Sequence, residues 1–406
     1  MTDVCSLEKK PLLTVDEALA RLKEAVNTLE ACETVALSEA FGRVVAEPIV
    51  SPMNLPPERN SAMDGYAFFS GDLEQSKRLN IVGTSWAGKP FAGLLQAGQC
   101  VRIFTGAVVP ERADSVVMQE FVERDGDVLI LPENVKTKQN VRPIGEDVAQ
   151  GDKLLDIKKL NAVDLALLAS SGIATVKVKQ RLKIAFCSTG DELVAVGQPL
   201  ASGQIYDSNR YLLQGLLNDA CFQLTDLGVI PDNKNAIKQQ FLQAAAQHDV
   251  LISTGGASVG DADFVKQVLD ECGAVDFWKL AIKPGKPLTF GKIKQCYFFG
   301  LPGNPVSAQV TFQIVVLPAL QQLSGVVAKP KLQFPATCLS PLKKSAGRAE
   351  YQRGVLSVKN GECVVESAGK QGSAILKALS LANCYIVLPI ECKGVAVGDK
   401  VMIELF

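Results

Sequence analysis

The sequence predicts a multidomain protein of the α/β plus β class, built on a central, doubly wound and mostly parallel sheet. Three observations support this prediction. Strand-like and helix-like runs alternate from residue 181 to residue 325, whereas short strand-like runs separated by Gly, Pro and Asp fill the segment from about 52 to 146 and again the segment after Pro330. With 406 residues, the chain is long enough for several domains.

The sequence before residue 181 predicts two helices, the first of which is amphipathic. Residues 13–31, LTVDEALARLKEAVNTLEA, place apolar side chains at helical spacing behind Thr14, which can form a capping box with Glu17. A second helix is predicted over 160–172, LNAVDLALLASSG, which ends at a glycine and precedes the alternating strand ATVKVKQ. The two helices can belong to one discontinuous unit.

The segment between these helices predicts a small all-β insertion. Its alternating runs are LNIVG, CVRIFTG, DSVVMQE and DVLILP. The C-terminal segment shows the same pattern in LKKSAGRAEYQRGVLSV, GECVVESA, CYIVLPI and DKVMIEL, and it predicts a β-barrel or sandwich.

The central segment predicts the parallel sheet. Its strand-like runs are RLKIAFCST, FQLTDLGVI and DVLIST. Its helix-like runs are SNRYLLQGLLNDA, NKNAIKQQFLQAAAQ and DADFVKQVLDECG, and further strands lead to LPGNPVSAQVTFQIVVLPALQQL. Alternation of strands and helices requires right-handed crossovers, which produce a mostly parallel sheet.

Charge and hydropathy exclude several classes of protein. The 42 basic residues balance 43 acidic residues, so the chain lacks the basic footprint of a nucleic-acid-binding protein. No apolar run approaches the roughly 20 residues of a membrane span, and the start, MTDVCSLEKKPLL, lacks the features of a signal peptide. We therefore expect a cytoplasmic protein with neither nucleic acid nor membrane as a partner.

Cysteine and histidine usage narrows the chemistry. The eleven cysteines are scattered and none is spaced as CxxC, which argues against a disulfide framework and a thiolate metal site. Cys187 is of interest because it lies beside the STGDE loop. The single histidine, His248, excludes a multi-histidine metal site, and its position before a strand favours a structural or surface role.

Three loops at the predicted carboxyl ends of strands are rich in Gly, Ser, Thr and Asp, and ligands bind at such ends in open parallel sheets. The loops are STGDEL (188–193), STGGASVGDAD (253–263) and GLPGNPVSA (300–308). In the third loop, Asn304 is the expected N-cap and Pro305 the first helical residue, so that backbone N–H groups would face an anion. GxGxxG and GxxxxGK[ST] are absent, which disfavours a dinucleotide-binding dehydrogenase and a P-loop NTPase.

Carboxylates cluster in the same part of the sequence. They are Asp191, Glu192, Asp207, Asp261 and Asp263. Acids next to amides that bind phosphate repel the substrate unless a cation lies between them, and Mg²⁺ suits carboxylate and phosphate oxygens. The sequence therefore predicts a Mg²⁺ site in which these five residues are the candidate ligands.

Lysines accompany these acids in WKLAIKPGKPL (278–288). Lys279, Lys283 and Lys286 surround a turn forced by Pro284 and Gly285. Ammonium groups at such a site stabilise the charge that develops on a transferred or leaving group.

The insertion carries acids of its own. In NSAMDGYAF (60–68), Asp64 precedes Gly65, a residue that permits positive φ or the close approach of other groups. Thr105 lies in FTGAVVP and Asp147 in RPIGEDV. If these residues serve the same site, they reach it across a domain gap or from another subunit, and the insertion acts as a lid.

These motifs together resemble one known family. NSAMDGYA, FTGA, GED, STGDEL, GQIYDSN, STGGASVGDAD, WKLAIKPGKP, GLPGNPVSA and QRGVL occur in the order and spacing of the molybdopterin molybdenumtransferase (MoeA) family, which includes the E domain of the scaffold protein gephyrin. The resemblance covers nearly the whole chain.

The resemblance implies a homodimer of elongated subunits with four domains. These are a mainly helical dimerisation domain (1–51 with 148–180), the β insertion (52–147), a molybdopterin-binding α/β domain (181–329) and a C-terminal β domain (330–406). It also implies a site between the α/β domain of one subunit and the insertion of the other, to which Asp64 is supplied in trans.

The implied reaction takes adenylylated molybdopterin and molybdate, releases AMP with the help of Mg²⁺ and inserts molybdenum at the dithiolene. The implied catalytic residues are Asp64, Thr105, Asp147, Glu192, Asp263, Lys279 and Lys283. The expected substrate-binding residues are Ser188, Thr189, Gly190, Asp232, Thr254, Gly255, Gly256, Ser258, Lys286, Pro302, Gly303, Asn304, Pro305, Arg353 and Ser373. The implied partners include an upstream molybdopterin adenylyltransferase and acceptor molybdoenzymes.

One position departs from the family pattern. Members commonly carry Phe-Asp before the Ser-Ala-Met-Asp run, whereas LPPERNSAMDG has Glu58 and Arg59. If the upstream acid contributes, Glu58 must replace it.

Two other functions stay open at the level of sequence. A related stand-alone domain with the same STGG and LPGNP loops adenylylates molybdopterin, so the chain can instead be an adenylyltransferase. A non-catalytic scaffold that binds partner peptides, as the gephyrin E domain does, is the second alternative.

Overall fold

The computed structural model describes residues 12–255, 264–327 and 331–406. Contacts divide the chain into two units. The larger unit comprises the described parts of Met1–Glu33, Gly42–Val44 and Val178–Phe406, and the smaller unit comprises Thr34–Phe41 and Val45–Lys177. The four-domain boundaries expected from the sequence stay predictions.

The described elements up to residue 179 are mostly short strands. In chain order they are α1 (Val15–Ala25), β1 (Cys32–Ala36), β2 (Ile49–Val50), β3 (Asn60–Ser61), β4 (Gly65–Phe68), β5 (Arg78–Ser85), β6 (Gln99–Ile103), β7 (Ser115–Met118), β8 (Glu123–Asp125), β9 (Val128–Ile130), β10 (Val141–Arg142), β11 (Lys153–Leu155), α2 (Ala162–Ser170) and β12 (Thr175–Lys179).

The described elements after residue 180 alternate strands and helices and then return to strands. They are β13 (Leu182–Thr189), β14 (Leu193–Val194), β15 (Ile205–Tyr206), α3 (Ser208–Leu216), β16 (Phe222–Ile230), α4 (Lys234–Gln247), β17 (Val250–Thr254), α5 (Phe264–Cys272), β18 (Gly273–Lys279), β19 (Ile282–Lys283), β20 (Pro287–Ile293), β21 (Cys296–Leu301), α6 (Pro305–Thr311), α7 (Leu317–Leu323), β22 (Gln333–Cys338), β23 (Ala349–Lys359), β24 (Glu362–Ser367), α8 (Leu376–Leu381), β25 (Cys384–Leu388) and β26 (Lys400–Leu405). A π-helical turn, Phe312–Val316, joins α6 to α7.

Helix α1 confirms the predicted cap but is shorter than predicted. The Thr14 side chain accepts from the Glu17 amide at 3.2 Å, and the Glu17 carboxylate accepts from the Thr14 amide at 2.8 Å. The helix ends at Ala25, because Val26 is extended and the following Thr28 directs its hydroxyl to the Gln322 carbonyl at 2.8 Å. Packing against the end of α7 thus stops a pattern that sequence alone extends to residue 31.

The larger unit contains a six-stranded sheet in the order β16-β13-β17-β21-β20-β18. The first four strands are parallel, and β20 and β18 form an antiparallel edge. Alternate residues of β13 face two different cores: Ile184 and Phe186 pack with α3, α6 and α1, whereas Ala185 and Cys187 pack with α4 and α5. Helices cover both faces, so the predicted doubly wound, mostly parallel sheet is confirmed.

The run that contains α6 and α7 lies inside this unit. Among the described residues, Pro305–Leu323 is the one helical run with the length and apolar composition to cross a membrane, and about 72% of this run is buried in the protein itself. Its side chains belong to the same core as β13 and α3. This is the position of a core helix.

The C-terminal part of the larger unit is a closed five-stranded barrel, one of the two architectures that the sequence predicts. The strands follow one another as β23-β24-β22-β26-β25, and pairing of β25 with β23 closes the circle. Small and branched side chains fill its interior, among them Cys338, Val365, Ile386 and Ile403. The short strand β19 pairs in parallel with β23 and so attaches the Lys-Pro-Gly-Lys turn to the barrel.

The smaller unit is largely β-structure, which agrees with the predicted insertion. Its main sheet has the order β7-β4-β6-β5-β9-β8, in which only β5 and β6 are parallel. Strand β4 lies between two small cores, since Tyr66 and Phe68 pack with Leu129 on one face and Ala67 packs with Val101 on the other. All four residues of β4 are buried.

Candidate functional site

The ends of two neighbouring parallel strands are joined by hydroxyl groups. Ser188 at the end of β13 donates to Asp207 Oδ1 at 3.0 Å, and the Ser188 and Thr254 hydroxyl oxygens are 2.9 Å apart. A hydroxyl has one hydrogen and a carboxylate only accepts, so Thr254 is the donor to Ser188. Thr189 donates to the Thr254 carbonyl at 3.3 Å. Three residues predicted to bind substrate and one predicted metal ligand therefore form one network.

Asp207 also begins helix α3. Its Oδ1 accepts from the Arg210 amide at 3.1 Å, which makes it the N-cap, while its Oδ2 is buried and has no hydrogen-bond partner among the described residues. A buried carboxylate oxygen requires a proton, a donor or a cation. The structure thus supplies one oxygen of the kind that a Mg²⁺ site uses.

The other predicted metal ligands are placed differently. Asp191 Oδ1 accepts from the backbone amide of Asp232 at 2.9 Å, and Glu192 is exposed with its carboxylate beside Gly190. Asp261 and Asp263, with the predicted substrate-binding residues Gly256 and Ser258, lie outside the described residues. Over 12–255, 264–327 and 331–406, no group of three or more His, Cys, Asp or Glu side chains is arranged to hold a metal.

The second and third glycine-rich loops approach each other closely. Gly255 has φ +95°, and a Cβ there would lie 2.7 Å from the Thr189 carbonyl oxygen. A Cβ on Gly303 would lie 3.9 Å from the Gly255 Cα. The Gly303 carbonyl in turn accepts from the Asn209 side chain at 2.7 Å, which ties the third loop to α3. The glycines permit this spacing because they carry no side chain.

The third loop starts its helix as predicted. Asn304 is the N-cap of α6 and Pro305 is its first residue, but the Asn304 side chain does not cap the helix and lines a cavity instead. The Val306 amide donates to the Ser373 carbonyl at 3.1 Å. The loop after the barrel strand β24 is therefore fixed to the start of α6.

A cavity of about 470 Å³ gathers many of the predicted residues, and we call it the basic cavity. Its lining is Gly255, Lys283, Pro284, Gly285, Lys286, Pro287, Pro302, Gly303, Asn304, Ser307, Arg348, Gln371, Gly372 and Ser373. Three of these residues are cationic and, within the described chain, none is acidic. Such a lining favours an oxyanion.

The turn that carries the two lysines requires its glycine. Gly285 has φ +106°, and a Cβ there would lie 2.4 Å from the Thr311 hydroxyl oxygen. The same hydroxyl donates to the Gly285 carbonyl at 3.3 Å. The predicted Pro-Gly turn is thus packed directly against α6. Lys279, by contrast, is exposed and is not part of the lining of the basic cavity.

Lys283 also lines a second cavity of about 220 Å³, which we call the barrel cavity. Its ammonium lies 2.9 Å from Glu350 Oε1, and Glu350 is buried on β23. The barrel cavity is lined on its other sides by Lys343, Gln352 and Arg353, among others.

Arg353 is fully buried in the barrel and organises the loop at the basic cavity. Its guanidinium donates to the carbonyls of Lys370 at 3.2 Å and Gly372 at 3.0 Å, while its Nε has no partner among the described residues. Burial lowers the pKa of this guanidinium from its ordinary value. Gln371 exchanges two hydrogen bonds with the Arg353 backbone, at 2.8 and 3.0 Å. Arg353 therefore shapes the wall that includes Ser373.

Three residues of this region were missed by sequence reasoning. They are Arg348, Glu350 and Gln371. Arg348 directly follows Gly347, and Gln371 directly precedes Gly372. A glycine beside a polar residue in a loop between strands is a signal that was present in the sequence. Glu350 gave none, because its importance arises from pairing with a strand 67 residues away.

In the smaller unit, Asp64 and Thr105 are in contact. Asp64 Oδ1 accepts from both the Thr105 amide and the Thr105 hydroxyl, each at 2.8 Å, and both residues are exposed. These bonds, the amide bond first, and the nearby Arg102 charge lower the pKa of Asp64, which keeps this carboxyl ionised at neutral pH.

A cation and aromatic rings surround this pair. Arg102 donates to the Gly65 carbonyl at 2.7 Å, and its guanidinium lies 4.5 Å from the Phe104 ring centroid. Phe104 stacks on the half-exposed Trp86, with centroids 4.2 Å apart. Asp147 is exposed, and its amide donates to the Leu55 carbonyl at 2.9 Å.

The departure at positions 58 and 59 has a structural consequence for one residue. Arg59 donates to the carbonyls of Ala113 at 2.9 Å and Glu111 at 2.8 Å and so holds the 110–113 loop. Glu58 is exposed.

His248 has the structural role that the sequence predicts, and Cys187 is structural as well. His248 Nδ1 bonds the Ala244 carbonyl at 3.0 Å, and Nε2 bonds the Thr225 hydroxyl at 2.8 Å. Because a carbonyl only accepts, Nδ1 carries a proton and donates it to Ala244. Cys187 is fully buried, and burial raises the pKa of its thiol to about 12.

We expect Cys187 to resist alkylation in the native protein. The thiolate is the nucleophile, and at pH 8 a buried thiol with a raised pKa supplies almost none. Iodoacetamide should label the half-buried Cys392 before Cys187, and denaturation should abolish the difference. Peptide mass spectrometry after timed labelling measures this order, and native labelling of Cys187 at the rate of Cys392 would contradict the burial described here.

Comparison with protein families identifies three consecutive matches. They are "MoeA N-terminal region (domain I and II)" over residues 13–172, "Probable molybdopterin binding domain" over 185–322 and "MoeA C-terminal region (domain IV)" over 335–406. Together they cover most of the chain.

Individual relatives of the chain carry names from the same family. The chain is 46% identical over 399 residues to a molybdopterin molybdenumtransferase of Haemophilus influenzae, covering 97% of this chain and 99% of that protein. It is 34% identical to a gephyrin of Dictyostelium discoideum, covering 92% of this chain and 60% of that protein. A crystal structure of a molybdopterin biosynthesis moeA protein from Pyrococcus horikoshii superposes with a TM-score of 0.83 at 30% identity, covering 97% of this chain and 100% of that one.

Proposed function

Because the chain belongs to the molybdopterin molybdenumtransferase (MoeA) family, we propose that it inserts molybdenum into molybdopterin during the biosynthesis of molybdenum cofactor. The observation that carries the proposal is the basic cavity, in which Lys283, Lys286 and Arg348 face the N-terminal end of α6. Positive side chains at such a cavity suit a doubly charged oxyanion such as molybdate.

The specific reaction that we propose is the transfer of molybdate to adenylylated molybdopterin with release of AMP. The chain's own groups account for binding of the charged parts. The Gly303 and Asn304 amides, whose residues line the basic cavity, would bind phosphate oxygens, and the lysines of the 283–286 turn would stabilise the charge that develops on the leaving phosphate. No histidine is required for these tasks.

Mg²⁺ is the proposed cofactor. The unpartnered buried oxygen of Asp207 fits a cation, and Asp191, Glu192, Asp261 and Asp263 are the further candidate ligands. When bound, Mg²⁺ would neutralise phosphate charge. Ser188 and the Arg210 amide hold the other oxygen of Asp207, so the free oxygen has a fixed direction.

Asp64 and Thr105 are proposed to act at a site completed by a second copy of the chain, in a cytoplasmic homodimer. Their exposure and the ionised state of Asp64 support a role toward a ligand rather than in a core. By reaction chemistry, an adenylyltransferase acting on molybdopterin supplies the substrate and molybdoenzymes accept the product.

The test is molybdate-dependent release of AMP from adenylylated molybdopterin by the purified full-length chain, with and without Mg²⁺. We expect AMP and molybdenum-loaded pterin to appear in equal amounts only when both molybdate and Mg²⁺ are present. AMP release that does not depend on molybdate would reject the proposal. Accumulation of adenylylated pterin from molybdopterin and ATP would identify an adenylyltransferase instead, and tight binding without any turnover would identify a scaffold.

A further inference from the structure

A buried carboxylate of the barrel is joined to the lysine that separates the two cavities. Glu350 is 4% exposed, and its two oxygens have different partners: Oε1 accepts from Lys283 Nζ at 2.9 Å and Oε2 accepts from Gln352 Nε2 at 2.9 Å. Gln352 also donates to the Lys343 carbonyl at 3.1 Å, so the carboxylate is held on both sides.

The backbone fixes this pair. Strand β19 runs parallel to β23 with Lys283 opposite Glu350, and the Ala349 amide donates to the Ala281 carbonyl at 2.8 Å. The pairing joins the lysine-bearing turn of the α/β part to the barrel. It therefore sets the position of the Lys283 Cα, while Glu350 sets the position of its ammonium.

The position of this ammonium matters because of what surrounds it. Lys283 lines both the basic cavity and the barrel cavity, and half of its side chain is exposed. A lysine has a flexible four-carbon stem, so an exposed ammonium without an anchor samples many directions. The pair with a buried carboxylate restricts it to the wall between the two cavities.

We propose that Glu350 is a positioning residue for the molybdenum-insertion reaction and acts by holding the Lys283 ammonium toward the incoming oxyanion. The inference rests on the proposed function. Glu350 does not line the basic cavity itself, so its effect on an anion bound there passes through Lys283.

The same barrel provides a matched control. Glu404 is 3% exposed on β26, and its carboxylate pairs with Lys331 at 2.6 Å and with Gln333 Nε2 at 2.9 Å. This arrangement repeats the chemistry of Glu350 with a lysine and a glutamine, but neither Glu404 nor Lys331 lines the basic or the barrel cavity.

The experiment compares E350Q and E404Q in the full-length protein. Both remove one buried charge from a lysine–glutamine pair, so we expect similar decreases in Tm. Only E350Q should lower kcat/KM for molybdate, by about tenfold, because misplacement of a positioned group weakens catalysis. E350D, which restores the charge, should recover part of the loss. Equal kcat/KM values for wild type and E350Q, or equal losses in E350Q and E404Q, would overturn the proposal.

A double-mutant cycle separates positioning from structure. If Glu350 acts through Lys283, E350Q should change the Kd of inorganic molybdate, measured by equilibrium dialysis, in wild type but not in a K283A background. Additive effects would contradict the inference. The proposed function is judged separately, because its failure appears as absent molybdate-dependent turnover in wild type. Failure of this inference leaves wild-type turnover intact and makes the E350Q values equal to those of wild type or to those of E404Q.

Discussion

Replacing Asp64 with asparagine is expected to reduce molybdenum insertion by about 100-fold or more, the usual effect of removing a positioned charge from an active site. This substitution removes the negative charge and keeps the local structure. The amide oxygen of an asparagine at this position can accept the same two hydrogen bonds from the Thr105 amide and hydroxyl, so the loop keeps its anchor. Molybdate-dependent AMP release and Tm, measured on the same preparation, should show a large loss of the first and almost no change in the second.

Asp114 offers the control for this experiment. Its carboxylate accepts from the Ser70 amide at 2.8 Å and from the Ser70 hydroxyl at 2.7 Å. Burial raises the pKa of Asp114, but its hydrogen bonds, that of the Ser70 hydroxyl first, outweigh burial, so the pKa is lowered as it is for Asp64. Asp114 lies at the opposite end of β4, where its amide bonds the Phe68 carbonyl. Asp114→Asn should decrease stability slightly and leave activity per folded molecule unchanged. Near-normal activity of Asp64→Asn would remove Asp64 from the reaction.

The central sheet was predictable because helices bury both of its faces, so its strands appear in the sequence as short apolar runs between helical patterns. In β13 and β17 the apolar runs carry their own boundaries, and the observed strands begin and end within a residue of the predicted ones. The C-terminal strands followed from short alternating runs for the same reason, but these runs left a barrel and a sandwich open, and the pairing of β25 with β23 decides for the barrel. Such patterns are local, and each residue that defines them lies within the element itself.

The end of α1 was not predictable by this means. Its periodic pattern continues beyond Ala25, but the contacts that end the helix come from α7, about 300 residues later. Gln322 donates to the carbonyls of Lys23 and Val26 and occupies the positions where a further helical turn would form its own bonds. Tertiary contacts of this range leave no trace in a window of sequence.

The residues of the candidate site also fall into those that local patterns predicted and those that only tertiary contacts reveal. Lys283, Lys286 and Asn304 were found from glycine-rich loops and lysine spacing, and the basic cavity brings them together. The hydroxyl network of Ser188 and Thr254 also followed, because parallel strands end at one edge. Glu350 and Arg348 were missed, since they enter through the pairing of β19 with β23, which joins two segments that sequence treats as separate domains.

Replacing Gly65 with alanine is expected to destabilise the smaller unit by about 4 kcal/mol or more, a loss of the size that severe steric conflict causes. The reason for this glycine is close approach and not positive φ. A Cβ on Gly65 would lie 1.8 Å from the Val117 carbonyl oxygen, a backbone atom of the adjoining strand β7 that has no room to move. Hydrogen exchange of the full-length protein, followed by mass spectrometry, should show lost protection in β4 and β7 and unchanged protection in β13 and β17.

Gly126→Ala separates this conflict from backbone strain. Gly126 has φ +60° in the turn between β8 and β9, with no atom within 4 Å of an added Cβ, so alanine there costs only about 1–2 kcal/mol. Similar effects of the two substitutions would mean that β4 and β7 are not paired as described. Because Gly65 follows Asp64 directly and its carbonyl accepts from Arg102, a displaced β4 also removes the Asp64 carboxylate from Thr105. Gly65→Ala should therefore lose fold and activity together, whereas Asp64→Asn loses activity alone.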